Sequence, residues 1–459
     1  MKVKLLPLQV GLILGTVFPV FAEELSKADE ESAIETITVT ATKRETSLMS
    51  TPVALTVFSA EQLEKQGLTN VKDLGGHVPN LSIGTEAAHN APVISMRGIR
   101  STNSTTIGDP AVGLHLDGIY QPRPQSATAL MFDVERVEVL RGPQGTLFGR
   151  NSTVGTINIL SKRPELDEFS GSIGVELGSW NNQQVKGVVN IPISDTFAIR
   201  GSFFNQTRDS YLDGYYDANQ FDVRQLGGND FIANATPDTG DLNGHQVPWW
   251  RQGGAANVSS EPIKADPSSF YNNKDQHAFR LSALWQPSDN FNWLVSFDQY
   301  QDQSAGNAFQ LSCDDAAKRN VEAGDPGRTC EKHFGTSDKS KVYVGTPGNS
   351  DVTINSLRSN VTWDFSDNYR LVHNFGMTQL DRDSLFDFDQ GTDPWDQQMA
   401  FDDLEMDSFS HELQIQSMDD SAFQWIAGLY FFEEENNGHG YWEQSLSQVE
   451  FWDIADEMS

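Results

Sequence analysis

Residues 133–164 read DVERVEVLRGPQGTLFGRNSTVGTINILSKRP, and this stretch decides the fold. Residues 134–141 mix charged side chains with Val and Leu, which predicts a strand that carries charge on both faces. The Gly-Pro-Gln-Gly sequence at 142–145 has Pro at its second position and Gly at its fourth, as in a type I turn. Residues 156–160 predict a second short strand. The stretch therefore predicts one small sheet.

The glycines of this stretch also suggest a phosphate-binding loop as an alternative. Such a loop requires Gly-Lys followed by Ser or Thr at the start of a helix. Here Gly149 is followed by Arg150 and leads into a strand. The sequence therefore does not favour a phosphate-binding loop.

The same stretch resembles the end of the plug domain of TonB-dependent outer-membrane receptors. It departs from the family pattern mainly at 152–154, where Val154 replaces one glycine of the usual pair. Earlier segments carry further family signatures: SAEQLEKQG at 59–67, VISMRGI at 93–99 and AVGLHLDGIY at 111–120. The resemblance implies a mainly β fold, in which an α+β plug domain lies inside a transmembrane antiparallel β-barrel.

A short helix is also predicted within the plug. Ser59 suits the N-cap, Gln62 completes a capping box, and Gly67 ends the helix. A second short helix or turn is expected before Pro79. The segments at 93–99 and 111–120 are each expected to form one strand.

Residues 1–22 are a predicted signal peptide, because two lysines precede an apolar segment and Ala22 lies at a suitable cleavage site. A membrane anchor is the alternative, which Pro7 and Pro19 disfavour. No later apolar run is long enough for a spanning helix, so a membrane location requires a barrel. The net charge of −32 argues against nucleic acid as a partner.

Residues 23–33 are acidic and polar, which predicts a disordered leader. The segment at 34–41 follows, and it alternates Thr with Ile and Val: Thr36, Ile37, Thr38, Val39 and Thr40. This pattern suits an extended strand that adds to the edge of another sheet. The segment resembles the TonB box, which implies the energy-transducing TonB complex as a partner. An ordinary plug strand is the alternative.

The plug domain is predicted at 42–164. Its family motifs match Arg97-Gly98 and Arg141-Gly142, and with Glu138 they are expected to present charge to the wet barrel wall. In the family, arginines of these motifs pair with barrel carboxylates; solvated charges are the alternative.

The plug apex, which is expected to meet the ligand, follows from the same resemblance. It comprises the loop at 101–110 and the turn at 121–124. The candidate ligand contacts are Arg97, Tyr120, Gln121 and Arg123.

Residues 165–459 predict part of an outer-membrane barrel. Phe291, Trp293 and Phe297 alternate with polar residues, and 423–431 repeats the pattern. Tight turns alternate with long polar segments at 210–275, 304–350 and 384–407, as periplasmic turns and external loops do. A soluble β-sandwich is the alternative, but it would not need an outward aromatic face.

About nine strands are predicted, whereas plugged transporters close with roughly 22. Their expected positions are 169–178, 184–193, 197–208, 276–286, 291–302, 352–365, 369–382, 408–417 and 423–435. We therefore expect an incomplete wall around a complete plug, and a reading frame that continues beyond residue 459.

Cys313 and Cys330 both fall in the third predicted external loop. In an oxidising compartment this predicts a disulfide worth about 3 kcal/mol of loop-closure entropy. Free thiols or a metal pair are the alternatives, although two sulfurs fall short of a four-ligand zinc site.

No catalytic triad, metal-ligand motif or cofactor motif is evident, so nothing indicates an enzyme, a metal site or a bound cofactor. The resemblance implies TonB-dependent import across the outer membrane of a Gram-negative bacterium, most commonly of a ferric siderophore. Haem, cobalamin and oligosaccharides use the same architecture and stay open. A passive porin or adhesin, the alternative from another class, would lack both box and plug.

Overall fold

A computed structural model of the protein describes residues 38–85, 92–101, 108–123, 131–216, 263–307, 338, 340–344, 348–387, 397–418 and 423–445. These residues form a small α/β unit, the plug, and a wall of nine long strands. The predicted signal peptide and leader, Thr36, Ile37, Cys313 and Cys330 lie outside the described residues. Among the described residues, no helix is long and apolar enough to cross a membrane.

The plug contains a five-stranded sheet, two strand pairs and short helices. Its elements are β1 (Thr38–Val39), β2 (Thr46–Ser47), a 3₁₀ helix (Leu48–Ser50), β3 (Leu55–Ser59), α1 (Ala60–Gln66), a second 3₁₀ helix (Val71–Gly76), β4 (Leu81–Thr85), β5 (Pro92–Met96), β6 (Val112–Leu116), β7 (Ile119–Gln121), β8 (Val134–Arg141), α2 (Gly145–Phe148) and β9 (Gly155–Ser161). The order in the five-stranded sheet is β3-β8-β9-β6-β7, and β6 runs parallel to β9.

The strands at 134–141 and 156–160 are confirmed as β8 and β9, the central strands of this sheet. Val137 and Val139 of β8 and Ile157 and Ile159 of β9 are fully buried in the plug core. The segment at 142–145, predicted as a type I turn, leads into α2 and does not join β8 to β9 directly. Backbone hydrogen bonds tie Gly142 and Gln144 back to 152–154, and helix α2 occupies the space between.

The predicted capping box of α1 is confirmed. Gln62 N donates to Ser59 Oγ at 3.3 Å, and Ser59 N donates to Gln62 Oε1 at 3.1 Å. Gly67 ends the helix with φ 65, a left-handed conformation that glycine adopts without strain. The short helix before Pro79 is also found, as the 3₁₀ helix Val71–Gly76.

The segment at 111–120 forms two strands, not the single strand that its apolar content predicts. Asp117 (φ 51) and Gly118 (φ 79) turn the chain between β6 and β7. Asp-Gly with two positive φ values is the preferred two-residue hairpin turn, because its twist matches that of the strands. The turn carries Asp117 to the plug surface that faces the wall.

The wall is an antiparallel sheet with consecutive strands side by side. Its strands are β10 (Ser170–Gly178), β11 (Asn182–Ser194), β12 (Phe197–Arg208), β15 (Lys274–Ser288), β16 (Phe291–Asp302), β18 (Asn349–Ser366), β19 (Tyr369–Asp387), β20 (Gln397–Ser417) and β21 (Ile426–Ser445). Among the described residues β10 and β21 are unpaired edges, which confirms the predicted open wall of nine strands.

The two faces of the wall differ as the alternation predicts. Large apolar residues are exposed on the outer face, among them Phe203, Phe279, Trp293, Phe297, Phe409 and Leu429. Buried polar residues face the plug, among them Asn190, Ser202, Ser282, Ser296, Ser356 and Gln414. The apolar plug core also touches the wall through Ala278, Tyr300, Ile354, Leu380 and Leu404.

The short turns after β11, β15 and β18 lie at one end of the wall. The long connections after β12, β16 and β19 lie at the other end, the long-loop end, together with the tight turn between β10 and β11. One predicted loop, 384–407, is shorter than expected because β19 and β20 stay paired as far as Asp387 and Met399. At the long-loop end, β13 (Asp213–Tyr216), β14 (Ile263–Lys264) and β17 (Lys341–Val344) form a separate small sheet. Phe270 and Tyr271 are buried in its core.

Candidate functional site between the plug and the wall

The predicted TonB box at 34–41, the coupling segment, packs its described end on the plug. Strand β1 pairs with β2, and Val39 and Ala41 are fully buried in a cluster with Leu140 and Phe148. The alternation of Thr with apolar residues explains this arrangement, because one face of the extended chain enters the core. In this conformation residues 38–41 form part of the plug.

Thr40 is bound by Glu138 of β8. Its backbone N donates to Glu138 Oε1 at 2.9 Å, and its hydroxyl lies 3.1 Å from Oε2. Arg136 Nε also donates to Oε1 at 2.9 Å. The sequence predicts Glu138 at the wet barrel wall, and this prediction is wrong. The carboxylate is fully buried inside the plug, where these donors replace water.

Arg97 and Arg141 contact each other instead of barrel carboxylates. Arg97 Nη2 donates to the backbone oxygen of Arg141 at 3.1 Å. The guanidinium lies against Gly142, where an added Cβ would come within 3.4 Å of Nη1. Among the described residues, neither arginine has a barrel carboxylate within ion-pair distance. Within the described residues, the contact of Arg97 joins the turn at Arg97-Gly98 to the end of β8.

Two ion pairs between wall and plug, Arg200–Asp133 and Arg358–Asp117, have the opposite polarity from the one predicted. Arg200 of β12 binds Asp133 through two parallel hydrogen bonds, Nε to Oδ2 at 2.8 Å and Nη2 to Oδ1 at 2.6 Å. The two side chains are only 7% and 6% exposed. Here the wall supplies the arginine and the plug the carboxylate, in the bidentate geometry that suits this pair.

A second buried cluster binds the turn at Asp117. Arg280 and Arg358 both contact Asp298 on the wall, and Arg358 Nε lies 3.2 Å from Asp117 Oδ2. Arg280 Nη1 also donates to the backbone oxygen of Phe132 at 3.1 Å. One wall carboxylate thus faces two wall cations, and plug oxygens supply the remaining acceptors.

The three wall arginines are not among the residues that the sequence singles out. A signal was available, because each occupies an inward position next to a small inward serine: Arg200 and Ser202, Arg280 and Ser282, and Ser356 and Arg358. An arginine on the plug-facing side of a strand needs a partner, and the plug is the nearest source.

The segment after β1 is tied to the last strands of the wall. Lys43 Nζ lies 3.2 Å from Glu412 Oε2 on β20. Arg44 Nη2 donates to the backbone oxygen of Trp425 at 2.7 Å, near the short-turn end. These contacts of Lys43 and Arg44 place the end of the coupling segment near the short-turn end of the wall.

The candidate ligand contacts do not form one exposed group. Tyr120, Gln121 and Arg123 are buried, and burial raises the pKa of the Tyr120 phenol to about 12. Arg123 forms an ion pair with Glu434 of β21. Arg97, by contrast, is exposed. The prediction of an open surface is corrected for the three buried residues: Tyr120 packs on Phe432 of the wall, Arg123 pairs with Glu434, and the Gln121 amide donates to the Ile119 oxygen within the plug.

Comparisons with known proteins match both the plug and the wall. Residues 47–156 match the TonB-dependent Receptor Plug Domain family. The pesticin receptor of Yersinia pestis is 36% identical over 163 residues, which are 35% of this chain and 23% of the relative. The ferrioxamine B receptor of Salmonella typhimurium is 28% identical over 211 residues, 45% of this chain and 29% of the relative.

Solved structures extend the likeness to the wall. The ferric yersiniabactin uptake receptor of Yersinia pestis has a TM-score of 0.62 at 17% identity, over 85% of this chain and 50% of that one. The ferripyoverdine receptor of the outer membrane of Pseudomonas aeruginosa has a TM-score of 0.57 at 16% identity, over 90% and 46%. The chain thus spans half or less of each of these proteins. Residues 47–156 are a TonB-dependent receptor plug domain, and with its nine-stranded wall the described chain has the fold of the TonB-dependent receptors.

Proposed function

We propose that this protein imports a ferric siderophore across the outer membrane of a Gram-negative bacterium, with energy delivered by the TonB complex. The observation that supports this proposal most directly is that β8 connects the coupling segment to the wall. Glu138 binds Thr40 of the coupling segment, and Asp133, just before β8, binds Arg200 of the wall. Tension on the segment would therefore act directly on the strand that is attached to the wall.

The coupling partner in this proposal binds residues 36–40 by strand addition. The pairing of β1 with β2 supports it, because Thr38 and Val39 already adopt an extended conformation with one edge engaged. Release of the segment would break the hydrogen bonds of Thr40 to Glu138 and expose Val39 and Ala41, so it requires work of the kind that the TonB complex delivers.

The substrate class in this proposal rests on relatives that are named for their ligands. They include receptors for ferrioxamine B and ferripyoverdine and an uptake receptor for ferric yersiniabactin. All three ligands are ferric siderophores, and this favours the same class here over haem, cobalamin or oligosaccharides.

The test is uptake of radiolabelled ferric complexes by the source bacterium. Cells with and without the gene are compared, each with active and with inactivated TonB. We expect accumulation of at least one ferric siderophore only when both gene and TonB are present. Equal uptake without the gene, or uptake that persists without TonB, contradicts the proposal. Labelled haem and cobalamin, assayed in parallel, distinguish the other substrate classes.

A further inference from the structure

A cavity of about 310 Å³ lies between the plug and the long-loop end of the wall. Lys72 and Pro92 line it from the plug. The ends of β12, β15 and β16 contribute Arg208, Lys274 and Asp302. The volume is near the lower limit for a small-molecule site, so the cavity suits one functional group of a ligand and not a whole siderophore.

The cavity is positively charged, in a chain with a net charge of −32. Its described lining includes Lys72, Arg208, Lys274 and Arg382, and Asp302 is the one carboxylate among these lining residues. Buried cations are costly unless a negative charge balances them, and Arg200 and Arg280 of the wall each bind a carboxylate.

Asp302 does not balance these cations by direct pairing. Its Oδ2 accepts from Gln276 Nε2 at 2.6 Å and from the Tyr300 hydroxyl at 3.1 Å, and its Oδ1 accepts from Ser304 N at 3.0 Å. Neutral donors therefore occupy both carboxylate oxygens, and within the described residues Asp302 forms no ion pair with either lysine.

The donors of Arg208 and the two lysines are available. Arg208 Nη2 donates to the backbone oxygen of Asn272 at 2.7 Å, but its buried Nε has no hydrogen-bond partner among the described residues. Within the same residues, no carboxylate lies within ion-pair distance of Lys72, Lys274 or Arg208. A buried donor such as Arg208 Nε normally has an acceptor.

The burial and the neighbouring positive charge change the pKa of Lys72. Burial, and then the charge of Lys274, lower the pKa of Lys72 to about 8, against the opposing effect of Asp302 and Asp73. An anion in the cavity would interact favourably with both lysines and relieve their repulsion.

We infer that this cavity binds a carboxylate group of the imported ligand, so that the receptor selects negatively charged ferric complexes over neutral ones. The ferric nature of the ligand rests on the proposed function. The preference for an anion rests on the cavity itself, with Lys72, Lys274 and Arg208 as its donors.

The test compares ferric citrate, a negatively charged carboxylate complex, with a neutral ferric trihydroxamate. Binding is measured on isolated outer membranes from cells that carry the gene. The variant is Lys72→Gln/Lys274→Gln, which keeps side-chain length but removes both charges. We expect each of the two substitutions in this double variant to weaken ferric citrate binding by about tenfold, or 1.4 kcal/mol. Binding of the neutral complex should change less than twofold.

Two controls accompany this variant. Lys264→Gln removes an exposed lysine of the small external sheet and should leave both affinities unchanged, which separates local binding from general attraction. Lys72→Arg/Lys274→Arg keeps both charges and should retain most of the ferric citrate affinity.

Failure of this inference and failure of the proposed function give different results. Unchanged ferric citrate binding in the double variant, equal loss of both complexes, or no ferric citrate binding by the unaltered protein overturns the carboxylate site. TonB-dependent uptake of the neutral complex would still support the proposed function in those cases. Conversely, if citrate binds through the lysines but no ferric complex is imported, the carboxylate site stands and the import proposal fails.

Discussion

Arg200 on the wall and Asp133 on the plug form a bidentate ion pair that is almost completely buried. The pair lies where the chain enters β8, the strand that also carries Glu138 and hence binds the coupling segment. Asp133 has φ 48, a left-handed conformation that Asp and Asn tolerate better than most residues. This geometry makes the contribution of the pair measurable by a nearly isosteric substitution.

Asp133→Asn should weaken the attachment of the plug to the wall by about 3–5 kcal/mol, because it leaves the buried charge of Arg200 unpaired. Asn keeps the shape and the positive φ, so the backbone should stay unstrained. The measurement is hydrogen exchange of the β8 amides in isolated outer membranes, which should become faster. Glu165→Gln, which breaks the exposed Lys162–Glu165 pair, is the control and should cost less than about 1 kcal/mol. Unchanged β8 exchange in Asp133→Asn would show that the pair does not attach the plug.

Glu138→Gln should loosen the coupling segment. The neutral amide accepts the Thr40 hydrogen bonds less strongly than the carboxylate and offers Arg136 no charge. We expect trypsin to cleave after Lys43 or Arg44 about tenfold faster, equivalent to 1.4 kcal/mol. Glu135→Gln is the matched control, since Glu135 is exposed and also contacts Arg136. Equal cleavage rates in the two variants would show that Glu138 does not hold the coupling segment in place.

Ile37→Pro should abolish uptake and leave ligand binding at the cell surface intact. Proline removes a backbone donor and restricts φ, which prevents addition of the segment to a partner sheet. The measurements are surface binding and accumulation of the same labelled complex. Ile37→Val keeps the β-branched side chain and should transport normally. Normal uptake by the proline variant would refute the assignment of residues 36–40.

Binding of ferric citrate should weaken as the pH rises through about 8. Burial and Lys274 lower the pKa of Lys72 from 10.5 to about 8, so its charge is present below that pH and lost above it. Lys274, Arg208, Arg382, Asp302 and Asp73 are the charged groups around it. Between about 8 and 10.5 the unfolded chain binds more protons at this residue, so its contribution to stability rises with pH while anion binding falls. A binding curve of the same shape in Lys72→Gln would exclude Lys72 as the group that titrates.

Cys313 and Cys330 should be linked by a disulfide in the exported protein. Mass spectrometry of the unreduced protein should find the two loop peptides joined, and reduction should release them. Alkylation of both thiols without prior reductant would contradict the prediction.

The sequence by itself determined the features that depend on neighbouring residues. The capping box at Ser59 and Gln62, the strands β8 and β9 and the nine wall strands with their outward aromatic face all follow local or short-period patterns. The Asp117-Gly118 hairpin was also readable, because the dipeptide is a local signal, but the apolar run around it favours a single strand.

The tertiary structure alone decided which charges meet. Arg200 and Asp133 are 67 residues apart in the chain, and Thr40 and Glu138 are 98 apart. Periodicity predicts which face of a strand a side chain occupies but not the element that packs against that face. Glu138 therefore looks like a surface charge until β1 covers it, and Arg123 looks like a ligand contact until β21 supplies Glu434. A buried charge takes its partner from the fold, because desolvation makes pairing necessary and only the packing of the plug inside the wall brings the partner within reach.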